Sequence, residues 1–146
     1  MLRAGRLMFW ISMVLWIGGL AVLALLVAPV AFKTAGRETA GAIFGRCLTI
    51  FNKVELVCGL LALTGALLRK PHPLRGISVV RPALLAAMTL NVLVIMLWLL
   101  PTMDAVRVSD PGQFDSLHRM STKLYGGTLL AGFAVIIQAC WEERAS

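Results

Sequence analysis

The sequence is poor in what a soluble enzyme needs. Its 146 residues include seven acidic side chains, two histidines and one tyrosine. No Walker loop, dinucleotide fingerprint, Gly-x-Ser-x-Gly elbow or His-Glu-x-x-His helix occurs, and the acidic residues fall at no metal-ligand spacing. Cys47, Cys58 and Cys140 are odd in number and include no Cys-x-x-Cys pair, which argues against a disulfide framework or a zinc site and leaves three small apolar side chains. The seven methionines are scattered through apolar stretches without the clustering that soft-metal transport favours. Polar surface is scarcest of all. With 59% hydrophobic residues and a mean hydropathy of +0.85, the chain cannot coat a soluble globule of its size.

What is present is four long apolar runs, at about residues 7–28, 47–68, 82–100 and 121–141, each close to the length that crosses a bilayer core. They predict an all-α, integral membrane four-helix bundle forming a single transmembrane domain over residues 1–146. The net charge of +7 does not point to nucleic acid, because the basic residues sit singly or in pairs beside the apolar runs, as juxtamembrane anchors do. Arg3 and Arg6 ahead of the first run resemble the start of a secretory signal. The length of the run, and Pro29 at its small-residue exit, predict a retained signal anchor instead.

Prolines punctuate the runs. The first span is expected to stop at Pro29, the third to open with Pro82 in its first turn and close at Pro101, and a basic, proline-rich loop over residues 69–75 to contain His72. Gly41 and Gly45, at Gly-x-x-x-Gly spacing, suggest a close-packed interfacial helix or the start of span two. An even number of spans puts both termini and the middle loop on one side. That side carries Arg3, Arg6, Arg69, Lys70, Arg75, Arg81 and Arg144, against Lys33, Arg37, Arg46, Arg107, Arg119 and Lys123 on the other. The balance, and the absence of acid from the middle loop, favour cytoplasmic termini.

Function has to be sought in the polar residues that interrupt the runs: Asn52, Lys53, Glu55, Asn91, His118, Ser121, Lys123 and Tyr125. Asn52 and Glu55 share a helix face that continues through Gly59, Ala62 and Ala66, and His118, Ser121 or Thr122, Tyr125 and Thr128 recur at helical spacing before Gly132. The topology brings these two faces to the outer half of the membrane. Glu55, some ten residues into its span, would lie roughly 10–15 Å below the surface at 1.5 Å per residue. A carboxylate at that depth must be protonated, paired or open to water, and is a functional candidate by default. Lys53 points elsewhere and can snorkel, so partners for Glu55 are sought in Lys123, His118 or Tyr125. The bland alternative is a hydrogen-bonded cluster that fixes helix register. His118 reads as an interfacial hydrogen-bonding residue before a metal ligand, and Asn91 as an interhelical hydrogen bond. His72, held between two prolines, is poorly placed to complete a bis-histidine haem site.

Three stretches carry a resemblance to a known family: Ala28-Pro29-Val30-Ala31-Phe32 with Ala40-Gly41-Ala42-Ile43-Phe44-Gly45, the entry Phe51-Asn52-Lys53-Val54-Glu55, and the run from Phe114 through Leu117-His118 and Ser121 to Tyr125. Over nearly its whole length the chain resembles the small bacterial four-helix membrane proteins of a domain of unknown function, related to eukaryotic transmembrane protein 205. The resemblance implies four membrane helices and draws attention to Asn52, Glu55, His118 and Ser121. It implies no reaction.

The leading expectation is therefore a small multi-pass protein, in a bacterial inner membrane, that handles a proton, cation or small solute through an intramembrane polar cluster. The alternatives are a structural or accessory module without transport, and a membrane redox or haem protein. No enzyme activity, catalytic residue or cofactor is expected, and the metal question stays open. The expected partners are the lipid bilayer, a second copy of the chain or a larger membrane protein, and not nucleic acid.

Overall fold

A computed structural model describes residues 2–68 and 77–144. The loop predicted over residues 69–75, His72 included, lies outside the described residues. Within them the chain is helical, with short turns and no strand. Helix α1 runs over residues 2–34, α2 over Arg37–Leu67, α3 over residues 77–106 and α4 over Pro111–Arg144. All four are long and apolar enough to cross a membrane. The expectation of an all-α membrane bundle holds, and the protein is a multi-pass membrane protein.

The chain divides into two compact units, Met1–His72 and Pro73–Ser146. Each is an antiparallel helical pair, α1 with α2 and α3 with α4. The first turns at Gly36, whose φ of 71° is a conformation that side chains with a Cβ rarely adopt. Beyond it, Phe32 and Phe44 meet edge to face with ring centroids 6.5 Å apart. The second turns at Asp110, whose Oδ1 accepts the Gln113 N–H at 2.9 Å and so caps α4, with Pro111 pre-set for the first helical position.

The prolines do not end the helices. Residues 28–34 continue α1 past Pro29, and residues 100–106 continue α3 past Pro101. Proline has no N–H to give, and its ring crowds the carbonyl four residues back. The helix accommodates this by widening to π geometry just before each proline, over Leu23–Val27 and Ile95–Leu99, where the Ala28 and Leu100 N–H groups reach back five residues to the Leu23 and Ile95 carbonyls. Pro82 sits in the second turn of the described α3 rather than its first. A third π segment, Val14–Gly18, has no proline after it.

Packing within each unit follows membrane rules, in which lipid tails offer no hydrophobic drive and close fit decides. In the first unit Phe9, Met13, Trp16, Ile17 and Leu20 recur at helical spacing and are buried. Gly65 brings α2 against the α1 backbone, and a Cβ there would fall 2.7 Å from the Gly5 carbonyl oxygen and 3.0 Å from the Phe9 nitrogen. In the second unit Leu85, Met88, Val92, Ile95 and Leu99 occupy the corresponding stripe of α3, with Leu124 and Tyr125 of α4 against Ile95 and Leu99. Leu25 and Leu97 are about three-quarters exposed and belong to the lipid-facing surface.

Candidate functional site

Glu55 is fully buried, as is Asn52 one turn before it, while Lys53 between them points outward and is exposed. The shared face of Asn52 and Glu55 thus lies inside. Trp16, within the π segment Val14–Gly18, donates its indole Nε1–H to Glu55 Oε1 at 3.1 Å. The other carboxyl oxygen, Oε2, is buried and has no hydrogen-bond partner among the described residues. Cys58, one turn further along α2, is buried too. Glu55 thus has one hydrogen bond, from a neutral donor, and shares its buried face with the Asn52 amide and the Cys58 thiol.

Trp16 is the site residue that sequence reasoning missed. Inside an apolar run a tryptophan reads as bulk, and helical spacing directs the search for partners of Glu55 to the fourth span. The available signal was chemical: indole carries a donor that must find an acceptor when buried, and buried acceptors are scarce in this chain. An open apolar groove of about 460 Å³ beside Gly18, Val22, Ile50 and Phe51 lies on the same unit and offers no charged group.

In the second unit the candidates form two groups. Asn91 Nδ2 donates to Thr128 Oγ1 at 2.7 Å and to the Leu124 carbonyl at 3.2 Å, joining α3 to α4. This is the interhelical hydrogen bond expected of Asn91, with Thr128 as its partner. His118 is exposed and stacks on Phe114, with ring centroids 6.2 Å apart and planes 9° apart, while the Arg107 guanidinium lies 5.9 Å over the other aromatic partner of that stack, Phe114. Its carbonyl accepts Ser121 Oγ at 2.7 Å and Thr122 Oγ1 at 3.0 Å. Ser121 is buried, Lys123 exposed and Tyr125 half-buried. His118, Ser121 and Phe114 thus brace the entry of α4.

One further polar contact has no counterpart in the sequence reading. Arg81, counted there as a juxtamembrane anchor, is buried and ion-paired with Glu142, which also accepts a hydrogen bond from Gln138 Nε2 at 3.4 Å. Opposite charges at the facing ends of two antiparallel helices were the signal for it. No group of three or more His, Cys, Asp or Glu side chains that could hold a metal ion occurs among the described residues.

A family model described as a domain of unknown function, DUF4149, matches residues 11–110. The chain belongs to the DUF4149 family. Trp16, Asn52, Glu55 and Asn91 fall within the DUF4149 match, whereas His118, Ser121, Lys123, Tyr125 and Thr128 lie beyond it. No curated protein and no solved structure matches the chain.

Proposed function

We propose that this DUF4149 protein binds and releases a proton at Glu55 within the membrane. The observation that carries the reading is the half-satisfied carboxyl: Oε1 takes the Trp16 indole N–H, and Oε2 is buried without a partner among the described residues. A buried carboxylate needs a counter-charge or several donors, and one neutral indole is neither. A proton on Oε2 answers that demand without any further ligand. A divalent cation asks for more, since it gathers six or more oxygens or a set of nitrogen and sulfur ligands. A single buried carboxyl with one neutral donor suits a proton better than such a cation. The setting we infer is a bacterial inner membrane with cytoplasmic termini. Kinship with eukaryotic transmembrane protein 205, and assembly with a second copy or a larger membrane partner, belong to the same proposal.

A second reading has its own observation. The Trp16–Glu55 hydrogen bond ties α1 to α2, so Glu55 would serve as a structural fastener in an accessory module. The two readings part in one experiment. Purified protein in proteoliposomes loaded with a pH dye is given an inward proton gradient, and wild type is compared with Glu55→Gln after equal reconstitution. Proton handling predicts dye acidification in wild type and its loss in a variant that melts within a few degrees of wild type. A silent wild type, with Trp16→Phe melting lower than Glu55→Gln, would establish the fastener instead.

A further inference from the structure

The two helical pairs repeat each other in detail. Pro29 and Pro101 are 72 residues apart (101 − 29), and so are the π segments Leu23–Val27 and Ile95–Leu99 and the five-residue hydrogen bonds of Ala28 and Leu100. The buried stripe of α1 maps at that spacing onto the buried stripe of α3: Phe9 on Arg81, Met13 on Leu85, Trp16 on Met88, Ile17 on Thr89 and Leu20 on Val92. Lipid-facing positions map as well, with Leu25 on Leu97 and Leu26 on Trp98 all at least half exposed.

The second helices of the pairs match at a spacing of 73 (132 − 59). Arg46, Thr49, Leu56, Gly59 and Ala66 recur as Arg119, Thr122, Leu129, Gly132 and Ala139. Thr49 hydrogen-bonds to the Gly45 carbonyl and Thr122 to that of His118, which are themselves 73 residues apart. Helix contacts repeat too. Gly19 lies under Phe51, where a Cβ would meet the ring at 2.6 Å, and its counterpart Asn91 donates to the carbonyl of Leu124, the counterpart of Phe51. At the same spacing the counterpart of Glu55 is Thr128, and each accepts a side-chain hydrogen bond from the facing helix, from Trp16 in the first pair and, one turn away from the equivalent position Met88, from Asn91 in the second.

We propose that residues 7–67 and 79–140 are two copies of one helical hairpin, and that position 128 is the second copy of the Glu55 site, a buried acceptor that in this chain carries a hydroxyl instead of a carboxyl. The periodicity of any apolar helix could align the buried stripes alone. It does not align two prolines with their π segments, a threonine back-bond, a glycine and an interhelical acceptor at nearly one spacing. The duplication stands whether or not Glu55 handles protons, because nothing in it uses that reading. Its consequence for the site is that the carboxyl is a specialisation of the first hairpin, built on an acceptor position that both hairpins possess.

Two measurements on the full-length protein in lipid vesicles test this. Single cysteines, introduced after removal of Cys47, Cys58 and Cys140, carry spin labels through residues 22–27 and 94–99 and through 56–61 and 129–134, and their oxygen and nickel accessibilities are recorded. The profiles should superpose at offsets of 72 and 73, in phase and in depth. Superposition displaced by a helical turn, about 5.4 Å, would overturn the duplication. The second compares Thr128→Glu with Leu130→Glu, a change on the lipid-facing side of the same helix. A position built like that of Glu55 should accept the acid with wild-type yield and a single gel-filtration peak, while Leu130→Glu loses most of its inserted protein. Equal loss in both variants would overturn the equivalence of 55 and 128.

Discussion

The two hairpins share a plan and differ in how they close it. At the end near Gly65 and Gly5 the first pair closes by contact of backbones, with nothing larger than hydrogen between α2 and the Gly5 carbonyl. The second pair has Gln138 where the first has Gly65, and Arg81 where it has Phe9, and closes instead through the Arg81–Glu142 ion pair. Further along, the first pair carries a carboxyl bonded to an indole, and the second an amide bonded to a hydroxyl and a carbonyl. The first hairpin puts its polar chemistry in mid-helix and packs tightly at the end. The second puts its charge at the end and keeps mid-helix neutral. In a membrane, each hairpin thus has one expensive polar element, supported by its own partner helix.

The largest effect should come from breaking the charged closure. Arg81→Ala leaves Glu142 beside α3 without its cation and should lower stability by roughly 2–3 kcal/mol, below the full cost of a deeply buried pair because Glu142 keeps 29% of its side-chain surface exposed. Unfolding of the detergent-solubilised protein in a denaturing-detergent titration measures it. Arg81→Met combined with Glu142→Leu should recover most of the loss, and failure to recover would mean that the ion pair is not what closes this end.

Next comes the backbone closure of the first hairpin. Gly65→Leu forces a side chain into a space bounded by the Gly5 oxygen and the Phe9 nitrogen, which cannot rotate away, and should cost about 1–3 kcal/mol in the same titration. Gln138→Leu, at the matching place in the second hairpin, should cost well under 1 kcal/mol, since a long side chain is already accommodated there. Equal costs would remove the contrast between the two closures.

How far the sequence discloses all this depends on what each feature is made of. The spans are legible because bilayer thickness fixes their length, and Glu55 is legible because a carboxyl in an apolar run has few bland explanations. The prolines mislead. Proline ends a helix in water, where a broken turn is solvated, but in lipid an unsatisfied carbonyl is costlier than a local π widening, so α1 and α3 continue past Pro29 and Pro101. Trp16 and Arg81 are hidden for opposite reasons: the indole passes for hydrophobic filler, and the arginine for a membrane anchor. Partner choice depends on which helix faces which, and single-helix periodicity says only which side of each helix is polar. The duplication is in the sequence all along, but its identical residues are too sparse to notice until the π segments and cross-helix contacts align them.

The difference at the polar contact itself is smaller in energy and sharper in meaning. Trp16→Phe keeps the aromatic volume and removes the indole donor, leaving Glu55 Oε1, like Oε2, without a side-chain hydrogen bond, so it should cost about 1–2 kcal/mol in the detergent titration. If the contact is a fastener and nothing more, Glu55→Gln should cost less than Trp16→Phe, because a glutamine oxygen still accepts from the indole.

Asn91→Leu is the corresponding test in the second hairpin and should have a smaller effect than Trp16→Phe. Its amide makes two hydrogen bonds, to Thr128 Oγ1 and the Leu124 carbonyl, but both acceptors keep another connection. Thr128 Oγ1 also donates to the Leu124 carbonyl at 3.1 Å along its own helix, and Asn91 is only partly buried. Interhelical hydrogen bonds of this kind in membranes average about 0.6 kcal/mol, because polar groups find partners in the separated helices too. A loss near that value, beside a larger one for Trp16→Phe, would show that a cross-helix hydrogen bond carries different stakes in the two hairpins: dispensable where it joins neutral groups, demanding where one partner is a buried carboxyl. A loss as large as that of Trp16→Phe would mean that the amide is as tightly bound into its hairpin as the acid, and the first hairpin's carboxyl would then owe its place to chemistry and not to packing.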